Sequence, residues 1–153
     1  MRVVKAPNPV VVTGKSVFLS GSIDMGKAVD WQTKLTNALS SYDCTIINPR
    51  RDDWDSSWKQ DISDPKFREQ VEWELKHLEE ADIIAVYFDP KGQAPITLLE
   101  LGIFAKHKNI AVCCPEGFWR RGIVQIVCNR YKIPLMEELD TLIAWTKARV
   151  QFG

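Results

Sequence analysis

What the 153-residue chain lacks narrows its possible roles before any motif does. It has no surplus of either charge: twenty basic and twenty acidic residues cancel to a formal net charge of zero. A domain that grips a polyanion carries a basic excess on one face. The two short basic pairs here, Arg50-Arg51 and Arg120-Arg121, stand apart among acidic or apolar neighbours. Large nucleic acids are therefore not expected as partners. No apolar run approaches the ~20 residues of a membrane span and no signal-peptide pattern is visible. The expectation is a cytoplasmic protein without membrane contact. Histidine is scarce: His77 and His107 are the only two, each among lysines or glutamates on an expected helix surface. Cys44, Cys113, Cys114 and Cys128 form no CxxC pair, and three of them lie in apolar runs, which reads as reduced core thiols. Neither a metal site nor a tightly bound cofactor is expected from these residues.

What the chain does have is a regular alternation of apolar runs and helical stripes, in a length that suits one core. Residues 1–15, with valines around Pro7 and Pro9, read as an extended arm or short edge hairpin blunted by proline. Residues 16–153 form the domain proper. Strands are expected at 16–20, 44–47, 82–88, 110–114 and 133–135. Helices are expected from 31 to about 42, from 65 to 80, from 95 to 107, from 121 to 130 and from 137 to 150. Five strands alternating with helices predict a single-domain, doubly wound α/β fold with a parallel sheet of flavodoxin-like order 2-1-3-4-5. In such sheets ligands bind beyond the carboxyl ends of the strands, where the order reverses. That places the crevice at loops 21–26 and 89–94. The polar loop 48–64, which carries Asn48, Trp54 and Trp58, is long enough for a binding or lid role.

Between Lys91 and Lys106 the only ionisable side chain is Glu100. A carboxylate isolated in an apolar helix is costly unless something hydrogen-bonds it or its charge serves a purpose. The alternative is a glutamate on the one wet edge of a buried helix. In the preceding helix, Phe67, Val71, Leu75 and Leu78 form the expected core stripe, with Glu74 inside it and Gln70 close to it. Glu74 is either a salt-bridged residue at the stripe's edge or a second carboxylate aimed at the crevice. Two converging carboxylates, one a nucleophile and one managing protons or orientation, suit glycosyl transfer. The loop Ser20-Gly21-Ser22-Ile23-Asp24 is small and glycine-containing, so its backbone and hydroxyls could approach a sugar or phosphate, or it is a plain tight turn.

In their order, Phe18-Leu-Ser-Gly-Ser22, Gln70-Val-Glu-Trp-Glu74, Ala81-Asp-Ile-Ile84 and Pro95-Ile-Thr-Leu-Leu-Glu-Leu-Gly102 resemble the nucleoside 2-deoxyribosyltransferases and their relatives, which include nucleotide N-glycosidases. The resemblance implies that Glu100 attacks the anomeric carbon and that a covalent glycosyl-enzyme intermediate passes the sugar to a second base or to water. It implies that Glu74 orients nucleophile and sugar. It also implies that Ser20, Gly21, Ser22 and Asp24 hold the sugar or base, and that Gln70 and Trp73 belong to the same site. The loop from Asn48 to Trp58, with Asn48 and Trp54 as binding residues, would cover the ligand. Where some relatives have an aspartate that engages the leaving base, this chain has Ala94, so Asp89 or Gln93 would take that role. Where relatives have an asparagine reaching into a neighbouring subunit's site, this chain has Ile123. The implied partners are a nucleoside or nucleotide, a free nucleobase and further copies of the chain. Hydrolysis, cleavage of NAD at its nicotinamide bond, and a non-catalytic nucleotide-binding module are the alternatives.

Overall fold

The centre of the sheet is made of strands with no polar alternation. Strand β2 (Lys15–Gly21) and strand β4 (Ile83–Tyr87) are buried along their length, as strands covered on both faces must be. The computed structural model describes residues 1–22 and 30–153. Among these, β1 (Arg2–Lys5), β3 (Cys44–Asn48), β5 (Ile110–Cys113) and β6 (Leu135–Met136) complete one sheet in the order β1-β3-β2-β4-β5-β6. Every neighbouring pair is parallel. Helices α1 (Trp31–Ala38), α2 (Pro65–Glu80), α3 (Pro95–Phe104), α4 (Arg121–Tyr131) and α5 (Leu139–Phe152) alternate with the strands.

Because side chains alternate across a strand, each strand feeds two cores. Val17 and Leu19 of β2 pack with Trp31 and Leu35 of α1 and Leu142 of α5. Phe18 points the other way, into a core with Trp73 and Leu78 of α2, Leu101 of α3 and Val124 of α4. Ser20 is in phase with Phe18 and so faces α2 and α3. The chain leaves β2 for β3 on one side and returns by α2 to β4 on the other, so the order reverses at the carboxyl ends of β2 and β4.

The five expected strands are present in the expected order, and a sixth joins them. Residues 2–5 are neither a free arm nor half of a hairpin but a parallel edge strand, with Val3 opposite Ile46 and Val4 opposite Ile47. Pro7 and Pro9 follow this strand rather than interrupt it. Residues 6–14 run back along the sheet, held by Thr13 N donating to Thr45 Oγ1 at 2.8 Å and by the Trp73 indole donating to the Asn8 carbonyl at 2.9 Å. The last strand lies two residues later than its apolar pattern indicated, at Leu135–Met136. Helix α1 stops at Ala38 and α3 at Phe104, each short of its expected end.

Local chemistry starts the helices where the sequence signals them. Asp64 caps α2 by accepting from Lys66 N and Phe67 N, with Pro65 in the first turn. The inward face of α2 is not the expected Phe67–Val71–Leu75 stripe: Gln70, Trp73, His77 and Leu78 are buried, while Val71 is exposed. The helix is rotated so that two aromatic rings meet the sheet. His77, expected at the surface, stacks edge-on against Trp73 with ring centroids 4.7 Å apart. All four cysteines are buried free thiols.

Gly21 is fixed by close approach. A Cβ there would lie 2.5 Å from the Tyr87 carbonyl oxygen and 2.6 Å from the Trp31 ring. Gly21→Ala is therefore expected to lower stability by roughly 1–3 kcal/mol through overpacking; urea unfolding with an unchanged midpoint would contradict this contact.

Candidate active site

Helix α3 is apolar nearly all round, yet its two polar residues turn inward. Thr97 and Glu100 are buried together with Leu101, while Ile96, Leu99 and Ile103 are more than half exposed. Thr97 and Glu100 are three residues apart and so share a face; that face is turned to the sheet's carboxyl end. Pro95 opens the helix, and Ala94 before it adopts a left-handed conformation (φ +47°) without a side-chain cap. Glu100 meets one defined partner: the Ser20 hydroxyl donates to its Oε1 at 2.9 Å, and both residues are buried.

Glu74 comes to the same place from α2, and its solvent exposure is partial. Burial is the main cause of its weak acidity, pushing it up to about 8, with the Glu100 charge adding to the rise and the Gln70 amide opposing it. Glu100 is pushed up to about 7 by burial, against the pull of the Ser20 hydroxyl. The two titrate as a pair, and the pair still holds a proton at neutral pH. Among the described residues neither carboxylate takes part in an ion pair with lysine, arginine or histidine.

Gln70, one turn before Glu74, is buried. Its Nε2 donates to the Pro49 carbonyl at 2.9 Å, and its Oε1 has no hydrogen-bond partner among the described residues. Gln70 thus ties α2 to the start of the loop after β3.

The other expected residues divide. Ser22 frames the crevice: its Oγ accepts from Asp89 N at 3.0 Å, and its carbonyl accepts from the Trp31 indole at 3.2 Å. Asp89 is buried, and one of its carboxylate oxygens accepts from Lys91 N at 2.8 Å, folding its own loop. Asn48 is likewise buried, and its side chain accepts from Arg50 N at 2.9 Å, shaping the exit of β3. Gly21 packs against Tyr87 and Trp31, as described above. Trp73 lies in the core, with its indole N–H taken by the Asn8 carbonyl. Gln93 is exposed and its carbonyl accepts from the Trp119 indole at 2.8 Å. Trp54 stacks edge-on against Trp58, with centroids 4.9 Å apart. Ile123 is exposed on α4, and Asp24 lies outside the described residues.

The sequence reading missed two features. Thr97 is buried on the Glu100 face, a polar pair three apart in an apolar helix that could have been noticed. Arg51 is buried, bound to Asp53 at 2.7 Å and to Glu69 at 2.9 Å, with its guanidinium 5.0 Å from the Trp58 ring centroid. It holds the loop of residues 49–64 against α2, and the acidic run after Arg51 was its only sequence signal. Among the described residues no group of three or more histidine, cysteine, aspartate or glutamate side chains is placed to hold a metal ion, and no helix is long and apolar enough to cross a membrane.

No curated protein matches the chain. Residues 14–118 match the family described as nucleoside 2-deoxyribosyltransferase like. This span covers well over half of the sequence and contains β2, the loop after β3, and both carboxylate-bearing helices. With Ser20, Glu74 and Glu100 all inside the matched span and gathered at the sheet's switch point, the chain belongs to the nucleoside 2-deoxyribosyltransferase-like family.

Proposed function

We propose that the protein is a retaining N-glycosidic bond transferase that moves a (2-deoxy)ribosyl group between nucleobases through a covalent glycosyl-Glu100 intermediate. The observation that carries this reading is the Glu74–Glu100 pair, with Glu100 buried and Glu74 partly buried and, among the described residues, no cation to balance it. Cleavage of an N-glycosidic bond passes through an oxocarbenium-like, cationic ring. A negative carboxylate in a low-dielectric site stabilises that charge far more than water-screened groups can.

In the first step the ionised Glu100 attacks the anomeric carbon as the carbon–nitrogen bond to the base breaks, and the base takes a proton from solvent water as it departs. In the second step a ring nitrogen of another base attacks the same carbon, the ester bond to Glu100 breaks, and the incoming base gives its proton to solvent water. Two inversions give net retention. The Ser20 hydroxyl aims Glu100, and Glu74, protonated at neutral pH, hydrogen-bonds the sugar and positions it. Asp89 and Gln93 stand in the loop before α3 as the groups nearest in sequence to the leaving base's expected place. No metal or bound cofactor enters these steps. The chemistry implies nucleosides or nucleotides and free bases as ligands, encountered in the cytoplasm.

We also infer that the protein works as a homo-oligomer. Ile96, Leu99 and Ile103 on α3 and Ile123 and Ile126 on α4 are all more than half exposed. Aliphatic side chains at three- and four-residue spacing on two helices beside the site form the kind of surface a second copy covers. Ile123 then meets the neighbour by packing, where an asparagine would have offered a hydrogen bond.

Incubation with deoxyribonucleosides and a free acceptor base is expected to give the exchanged nucleoside, and Glu100→Gln is expected to lower kcat by about a thousandfold or more. Sugar release without an acceptor would assign the protein to hydrolysis instead, release of nicotinamide from NAD would assign it to that bond, and ligand binding with no turnover of any nucleoside would leave a binding module. The pH profile of kcat/KM should rise as the pair first ionises near 7 and fall as the second proton leaves near 8. A rate independent of pH between 5 and 9 would remove the coupled pair from the mechanism.

Stability gives an independent readout. In the fold both groups keep protons that the unfolded chain releases in the ordinary carboxylate range, so the native state binds more protons and loses stability as pH rises from about 5 to about 8. Glu74→Gln should match the wild-type Tm near pH 4 and exceed it by a few degrees at pH 8. Light scattering should find a dimer or larger species that Leu99→Asp converts to monomer; a monomeric wild type would exclude the neighbour's part in the site.

A further inference from the structure

The amino ends of β5 and β6, at the opposite end of the strands from the carboxylates, hold a cavity of about 400 Å³. Lys106 and Lys108 from beyond α3, Tyr131 and Lys132 from the end of α4, and Trp145 and Arg149 from α5 line it. Its volume lies within the range of small-molecule sites. Among the described residues no carboxylate side chain lines it, although acidic and basic residues balance over the whole chain.

Complementing helix dipoles explains part of this charge but not all of it. Helices α3 and α4 end beside this cavity, and each carboxyl terminus carries roughly half a negative charge. About one negative charge then faces four side-chain cations, so the cavity remains positive. Trp145 packs one side of its ring against the core, and the Arg149 guanidinium lies 5.4 Å from its ring centroid, so a cation and an aromatic ring lie together; Tyr131 is exposed at the rim. Lys132 also occupies an unfavourable backbone position: it follows α4 in a left-handed conformation (φ +57°), where glycine or asparagine is the usual occupant. A lysine held there puts a cation at the cavity at the expense of backbone comfort.

We propose that this cavity binds a nucleoside polyphosphate, with the phosphates on Lys106, Lys108 and Lys132 and the base against Tyr131 and the Arg149–Trp145 surface. The ammonium groups supply point charges for several phosphate oxygens, and the flat aromatic and guanidinium faces accept a base by stacking. The site is separate from the carboxylate crevice, at the opposite end of the strands. It would give the protein a second nucleotide contact independent of turnover.

Isothermal titration of the full chain with ATP, inorganic triphosphate and adenosine tests this. With the carboxylate crevice saturated by a deoxyribonucleoside, ATP is expected to bind once per chain, more tightly than either of the others. Lys132→Gly should weaken ATP about tenfold, and it relieves the left-handed strain, so its Tm should not fall and the loss cannot be ascribed to unfolding. Lys106→Ala/Lys108→Ala should weaken ATP further, and Glu100→Gln should leave ATP affinity unchanged. No binding at millimolar ATP, the same affinity in the lysine variants, or loss of binding in Glu100→Gln would each overturn the site. Inorganic triphosphate binding as tightly as ATP would overturn the nucleoside assignment.

Discussion

A carboxylate taken out of water must find compensation, and Glu100 finds little: one serine hydroxyl at 2.9 Å, and a second carboxylate that makes matters worse. Much of the structure around it follows from that imbalance. On α3 Thr97 and Glu100 take inward positions beside Leu101 while Ile96, Leu99 and Ile103 stay exposed, so polar side chains occupy places that burial of apolar surface would favour for aliphatic ones. The pair relieves its repulsion by keeping a proton, which leaves a weak acid and a poised base side by side at neutral pH. A structural element gains nothing from such an arrangement. A site of the proposed kind, which receives a developing positive charge, does gain, because the stability forgone in the resting protein would be returned when that charge forms.

The scaffold holds this imbalance in place through packing rather than through charge. Gly21 lets the end of β2 approach Tyr87 and Trp31 closely, fixing Ser20 and Ser22 on either side of it. On α2, Trp73 and His77 anchor the helix to the core, which sets the rotation that brings Gln70 and Glu74 inward. Arg51 is itself buried, but two carboxylates pair with its charge and an aromatic ring lies beside it, and it ties down the loop beside the site. The charge-paired Arg51 contrasts with Glu100, which has no ion-pair partner among the described residues, and that contrast is the ground on which Glu100 is proposed as the nucleophile.

Much of this was legible in the sequence. The apolar runs of β2, β4 and β5 fixed the parallel sheet, the order of the five expected strands followed from alternation with helices, and Asp64-Pro65 marked the start of α2. Glu100 stood out because it was the sole charge in its helix, and Glu74 because it broke an apolar stripe. The rest depended on tertiary packing. Trp73 and His77 outcompeted Phe67 and Val71 for the core side of α2, a choice that periodicity alone cannot make when both sets repeat at helical spacing. Strand β1 was hidden because prolines near a short valine run signal an edge or an arm, and only its pairing with β3 shows which. The Arg51 cluster and the basic cavity at the amino ends of β5 and β6 bring together residues distant in sequence, so no local pattern announces them.

The central claim is that Glu100 forms a bond to the sugar. Intact-protein mass spectrometry after brief exposure to a 2-fluoro-substituted deoxyribonucleoside, which slows release of a glycosyl ester, examines that bond directly. The account requires a mass increase of one fluorosugar per chain, mapped by peptide digestion to Glu100 and absent in Glu100→Gln. Release of the base with no adduct, or an adduct on any other residue, would contradict it.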